Sequence, residues 1–164
     1  MKKYIILLAI LNNLLFLTYN LNAQNTDRNK AVYVELLGPG TIYSVNYDTR
    51  LQKRINGLGL RLGISYTPVF EKYLTIPVQF NYLIGKTYKF FEVGLGATYV
   101  DYGPLFSDSN PDYSKSVIHG TLLFGYRKLP EKSGLMFRAG ISPTLTKDRF
   151  IPHWPYISLG YSFD

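Results

Sequence analysis

The sequence predicts an all-β fold: an eight-stranded antiparallel up-and-down barrel that crosses a membrane, preceded by a cleaved export segment. Two observations carry this. The first is period-two alternation sustained over about ten residues in segment after segment, the length at which a tilted strand spans a bilayer. The second is where the charges fall. Every Lys after residue 23 lies in a leader, a turn, a loop or a strand terminus (Lys30, Lys53, Lys72, Lys86, Lys89, Lys115, Lys128, Lys132 and Lys147). The middles of the apolar faces carry none.

Residues 1–23 read as a signal peptide. Lys2 and Lys3 precede an apolar run, and Ala23 offers a small residue at the expected cut. The run is broken by Asn12 and Asn13 and is shorter than the ~20 apolar residues of a spanning helix. Residues 24–30, QNTDRNK, form a polar leader, and 31–164 the barrel. The formal charge is +7, or +5 without the two lysines of the export segment (7 − 2). That excess is modest and unclustered, and with export it argues against nucleic-acid binding. The absence of Cys excludes a disulfide framework, a thiolate metal site and a lipidated cysteine. Tyr is abundant, at 15 against a single Trp, and its amphipathic ring suits a membrane interface.

In chain order, residues 31–37 set Val32, Val34 and Leu36 against Tyr33 and Glu35. Gly38, Pro39 and Gly40 break the strand. Residues 41–48 resume with Tyr43, Val45 and Tyr47 opposite Ser44, Asn46 and Asp48, and 49–56 form a basic connector holding Arg50, Lys53 and Arg54. Residues 57–67 put Leu58, Leu60, Leu62, Ile64 and Tyr66 on one face and Gly59, Arg61, Gly63 and Ser65 on the other. Residues 74–100 read as a hairpin. Leu74, Ile76, Val78, Phe80, Tyr82 and Ile84 share one face of its first strand. Phe91, Val93, Leu95, Ala97 and Tyr99 share one face of its second, opposite Glu92, Gly94, Gly96 and Thr98. After a Pro-, Gly- and Asp-rich connector over 101–115, residues 117–127 set Ile118, Leu122, Phe124 and Tyr126 against His119, Thr121, Gly125 and Arg127. Residues 135–145 set Leu135, Phe137, Ala139 and Ile141 against Met136, Arg138, Gly140 and Ser142, and 156–163 close the chain. Pro77 and Pro143 fall inside strands, where each removes a ladder donor, and read as bulges or strand ends.

Counting a turn at Gly38-Pro39-Gly40 gives eight strands, the even number that bacterial single-chain barrels use. The connectors at 68–73, 101–115 and 146–155 then fall outside. The turns at 85–88 and 128–134, and the C-terminus, fall on the periplasmic side. A soluble lipocalin-like barrel also alternates, with its apolar face inward. It is the alternative, disfavoured because the polar faces here are mostly Gly, Ser, Thr, Asn and Gln, residues that fit a narrow lumen.

The segments GTIYSVNYDTR, GLGLRLGISY, IPVQFNYLIGK and FEVGLGATYV, nearly end to end, resemble the small outer-membrane β-barrel domain proteins of Gram-negative bacteria. YISLGYSF resembles their C-terminal signature, with Phe163 penultimate before Asp164. The resemblance implies residence in the outer membrane and insertion by the barrel-assembly machinery through the strand ending at Phe163. The expected partners are lipid and that machinery, the expected state a monomer.

The candidate site is a lumen charge network of Glu35, Arg61, Glu92 and Arg138, all of lumen parity and of both signs, which must pair in a narrow interior. Its expected role is non-enzymatic: membrane integrity, surface interaction, or small-ligand binding or passage. The rival is a lipid-modifying barrel enzyme built from His119, Thr121, Ser142 and Glu92, whose geometry spacing alone does not establish. No cofactor is expected. His153, beside Trp154, is expected to be an interface or loop-packing residue rather than a ligand, two His make a weak metal case, and the Asp-rich connector lacks calcium-loop spacing.

Overall fold

The computed structural model describes residues 29–67, 73–102 and 116–163. Residues 1–28, which hold the expected export segment and most of the expected leader, lie outside the described residues, as do 68–72, 103–115 and Asp164. Eight long strands follow one another: β1 (Lys30–Leu37), β2 (Tyr43–Arg50), β3 (Gly57–Thr67), β4 (Tyr73–Lys86), β5 (Lys89–Asp101), β6 (Ser116–Lys128), β7 (Gly134–Ile141) and β8 (Pro155–Phe163). Each pairs antiparallel with its sequence neighbours, and β1 pairs with β8, so the sheet closes into an up-and-down barrel. Closure leaves no free edge, the condition for crossing a bilayer with strands.

The alternation sorts outward and inward as a membrane solvent requires. In β3, Leu62 and Ile64 are 52% and 55% exposed, while Arg61 between the outward positions is 0% exposed. Val32, Val34 and Leu36 in β1, Phe80 and Ile84 in β4, and Leu95 in β5 likewise face out. Glu35, Asn46, Gln79, Glu92 and Arg138 face in. The soluble alternative needs the reverse, so this arrangement overturns it: apolar side chains on the outside of a closed sheet belong against lipid.

Several local expectations are corrected. Lys30 opens β1 rather than ending a leader, and Asn29 before it is tied to the barrel through Nδ2 to Ser162 Oγ at 2.8 Å. Arg50 ends β2 and points into the lumen; it is not a connector residue. Pro77 is neither bulge nor strand end. The β3–β4 register on either side of it is unchanged (Leu62↔Val78, Ser65↔Thr75), so the proline interrupts the ladder without inserting a residue. Pro143 ends β7 proper, but its carbonyl still accepts from Leu122 N–H at 2.8 Å. The pairing resumes in register at Thr144–Leu145, which pair with β6 and with the short segment Phe150–Ile151.

Side chains fill the barrel at one end and through its middle, and a buried turn narrows the other. At the end where Lys30 pairs with Phe163, Ala31, Tyr33, Leu83, Phe90, Leu129 and Met136 form an apolar cluster. Leu129, just past β6, is drawn under the barrel by its N–H bond to Tyr88 O at 2.9 Å. At the opposite mouth the Gly38–Gly40 turn folds inward and is buried. Thr98 Oγ1 donates to Pro39 O at 3.1 Å and Trp154 Nε1 to Gly38 O at 2.9 Å, which pins the turn in place. Gly38 has φ +66°, and a Cβ there would sit 2.8 Å from Glu35 Oε1, so conformation and space both demand glycine.

Leu62→Arg, at the middle of β3 on the outward face, is expected to destabilise the barrel by about 2–4 kcal/mol in urea unfolding from phospholipid vesicles. A change below about 0.5 kcal/mol, the ordinary surface range, would place that face away from lipid.

Candidate functional site

The site is built by parity. Each strand contributes its inward positions to one narrow space, and charged side chains from β1, β2, β3, β5, β6 and β7 meet there. All four predicted residues are present and joined. Arg61 Nη2 donates to Glu35 Oε1 at 2.5 Å, and Arg138 Nη1 donates to Glu35 Oε2 at 3.1 Å. Arg138 also grips Glu92, with Nε to Oε2 at 2.9 Å and Nη2 to Oε1 at 3.0 Å. The Glu92 pairing expected with a lumen arginine is thus made with Arg138 and with a second, unpredicted arginine.

That second arginine is Arg127, whose Nε and Nη2 donate to Glu92 at 3.1 and 2.6 Å. It continues to Asp48, with Nη1 to Oδ1 at 3.2 Å and Nη2 to Oδ2 at 2.8 Å. Arg50 donates to Asp48 Oδ1 and to Asn81 Oδ1, and Asn81 Nδ2 in turn donates to Asp48 Oδ2 at 2.6 Å. The result is an alternating series: Arg61, Glu35, Arg138, Glu92, Arg127, Asp48, Arg50. Each member is at most 1% exposed. Four guanidinium groups against three carboxylates leave a net charge of +1 (4 − 3).

Neutral groups complete the coordination. Asn46 Oδ1 and Gln79 Oε1 accept from Arg61, and Ser158 Oγ donates to Glu35 Oε2 at 2.9 Å. Tyr33 lies under two arginines, with the Arg138 guanidinium carbon 4.7 Å and that of Arg61 5.6 Å from its ring centre. The same Arg138 guanidinium carbon lies 5.2 Å from the Tyr156 ring centre. Guanidinium planes over aromatic faces are attracted by the ring quadrupole, most strongly where water is absent.

Sequence reasoning missed Asp48, Arg50 and Arg127. Asp48 and Arg127 carried the same inward parity as the four that were found, so the signal was present. Arg50 was hidden by placing the end of β2 two residues early.

The set expected for a lipid-modifying enzyme is not brought together. Glu92 is held by two arginines, and Ser142 Oγ donates to Leu122 O at 2.8 Å. His119 and Thr121 instead line a cavity of about 260 Å³ at the mouth near the Gly38–Gly40 turn. His153 is exposed in the connector between β7 and β8. Among the described residues no three His, Asp or Glu side chains gather as a metal-binding group.

An apolar exterior, a closed antiparallel sheet and a polar, self-paired interior define a membrane-spanning β-barrel of the outer-membrane type. In agreement, the chain is similar to the crystal structure of the N-terminal β-barrel domain of Pseudomonas aeruginosa OprF. The TM-score is 0.59, the identity 9%, and the match covers 83% of this chain and 96% of that one. At that identity the likeness concerns the fold. No protein-family model and no curated protein sequence matches the chain.

Removing Glu92 takes away the carboxylate shared by two arginines and raises the lumen charge from +1 to +2. Removing Arg61 lowers it to zero and leaves Glu35 held by Arg138 and Ser158. Glu92→Leu is therefore expected to cost about 3–5 kcal/mol in vesicle unfolding, the range for breaking one side of a buried ion pair. Arg61→Leu should cost clearly less. Equal losses, or the reverse order, would contradict the network's connectivity.

Proposed function

We propose that the chain is an integral outer-membrane protein whose barrel is sealed to ions, and that it serves the membrane and the cell surface without conducting or catalysing. The observation that carries this reading is the buried alternating charge series. Its members hydrogen-bond one another across the lumen, with the apolar cluster below and the inward-folded turn above. Ion passage would require several charge-assisted bonds to break at once, each stronger than a neutral hydrogen bond.

The basic-headed apolar segment at residues 1–23 supports export and insertion with the short turns in the periplasm. The rim carrying those turns bears Lys30, Lys53, Arg54, Lys86, Lys89, Lys128 and Lys132 against Glu131 alone among the described charged residues outside the lumen. Such a rim suits the phosphate groups of the adjoining lipid leaflet. The opposite mouth is balanced among the described residues, with Lys147 and Arg149 against Asp101 and Asp148. Insertion by the assembly machinery through β8 is part of this reading, as is a monomeric state. Phe163 ends that strand opposite Lys30.

Two measurements test it. Cell fractionation should recover the protein with outer membranes, released only by detergent; recovery in the soluble fraction would defeat the membrane reading. In planar bilayers the purified protein should give no regular current steps, and neither should Arg61→Leu, which leaves the remaining pairs intact. Stepwise conductance by the unaltered protein would overturn the sealed barrel.

A further inference from the structure

The mouth opposite the Lys30–Phe163 end holds a cup of about 260 Å³. Its floor is the filled lumen, so a molecule entering it can only leave the way it came. One wall is set by strand register: Thr98 pairs with His119, and Thr121 with Thr144. The facing wall is the buried Gly38–Gly40 turn together with Trp154.

The hydrogen-bonding state of the lining decides what the cup can hold. Threonines dominate it, yet their hydroxyl protons are mostly committed. Thr41 Oγ1 donates to Gly40 O at 2.6 Å, Thr98 to Pro39 O at 3.1 Å, Thr144 to Ser142 O at 3.1 Å and Thr146 to Arg149 O at 2.9 Å. The Trp154 indole N–H is likewise taken by Gly38 O. What these residues offer the cup is methyl groups and ring carbon, joined by Pro39, Ile42 and Ile151. Among the described residues, no Lys, Arg, Asp or Glu lines the cup. Three polar groups remain available, one of them the Tyr73 hydroxyl, 3.3 Å from Thr41 Oγ1. Thr121 Oγ1 accepts from Gln79 Nε2 at 3.0 Å, which leaves its own proton to donate, and His119 sits beside it on the same face of β6.

We propose that this cup binds a small uncharged molecule with an apolar single-ring body and one hydrogen-bonding group, such as an aromatic alcohol. The ring lies against Trp154 and the threonine methyls, and the polar group meets His119 and Thr121. The volume falls just under the ~300–1,000 Å³ of ordinary small-molecule pockets, which fits one ring and little more. Charged ligands are disfavoured because none of the described lining residues carries a fixed charge to compensate their desolvation.

The chain has a single Trp, so its indole N–H resonance reports on this cup alone. The full-length mature protein in lipid nanodiscs is titrated with benzyl alcohol, and the Trp154 resonance is followed by NMR. The expected result is a saturable shift, with apparent affinity at least tenfold weaker in Thr144→Phe, which fills the cup. His119→Phe, which fills it from another position and removes a polar partner, should weaken binding likewise and serves independently if Thr144→Phe does not fold. Toluene, lacking the hydroxyl, should bind more weakly than benzyl alcohol. A shift that rises linearly without saturation, and equally in the folded variant, would mean partition into lipid and would overturn the proposal. So would equal affinity for toluene and benzyl alcohol.

Discussion

Glu92 accepts hydrogen bonds from Arg127 and Arg138 together, and each guanidinium also reaches a second carboxylate, Arg127 that of Asp48 and Arg138 that of Glu35. Each carboxylate of the lumen is shared in this way between arginines on different strands. Glu35 joins β3 to β7, Glu92 joins β6 to β7, and Asp48 joins β2 to β6. A charge buried without its partner costs several kcal/mol, so the pairs fix which strands face one another across the lumen. The glycines belong to the same constraint. A Cβ on Gly59 would lie 2.0 Å from Arg50 Nη2, and one on Gly125 would lie 2.0 Å from the Tyr156 hydroxyl oxygen. Glycine is where a long lumen side chain from another strand lies across the wall.

This constraint separates the two surfaces of the sheet chemically. The outer face is solvated by lipid and needs only apolar bulk, supplied by Val, Leu, Ile and Phe with no special pairing. The inner face pairs most of its polar atoms within a space too narrow for much water, so its residues are specific to one another. Closure at three levels, apolar at one end, ionic in the middle and backbone at the opposite mouth, follows from an eight-stranded circumference that side chains can nearly fill. A void of about 260 Å³ lies at the mouth near the Gly38–Gly40 turn, beside Trp154. The molecule thus divides into a lumen of self-paired charges and a cavity beside the turn.

Much of this was legible in the sequence because a barrel strand has only two faces. Once Leu62 faces lipid, Arg61 must face the lumen, and the same rule placed Glu35, Glu92 and Arg138 correctly. Parity is short-range information, however, and does not say how high in the lumen a side chain sits or whom it meets. That depends on register, which follows from the packing of all eight strands. The pairing of Asp48 with both Arg50 and Arg127 was therefore out of reach, and Arg50 was misplaced because strand ends are set by turn geometry. The inward fold of Gly38-Pro39-Gly40 was missed for a similar reason. The triplet announces a turn, but its burial depends on bonds from Thr98 and Trp154, far away in sequence. Pro77 looked like a break because the lost donor is local, whereas the unchanged register on both sides is a property of the whole sheet.

The claim on which the rest stands is that the lumen charges are held by one another. A double-mutant cycle on Glu92 and Arg138 tests it most directly, with Glu92→Leu, Arg138→Leu and the pair unfolded by urea from phospholipid vesicles. Side chains sharing two hydrogen bonds in a buried network should give a coupling energy toward the upper part of the 0.5–3 kcal/mol range, about 2–3 kcal/mol, with the double variant losing less than the sum of the singles. Losses that add within about 0.3–0.5 kcal/mol would mean that the two charges act independently, and would contradict the sealed, self-paired lumen.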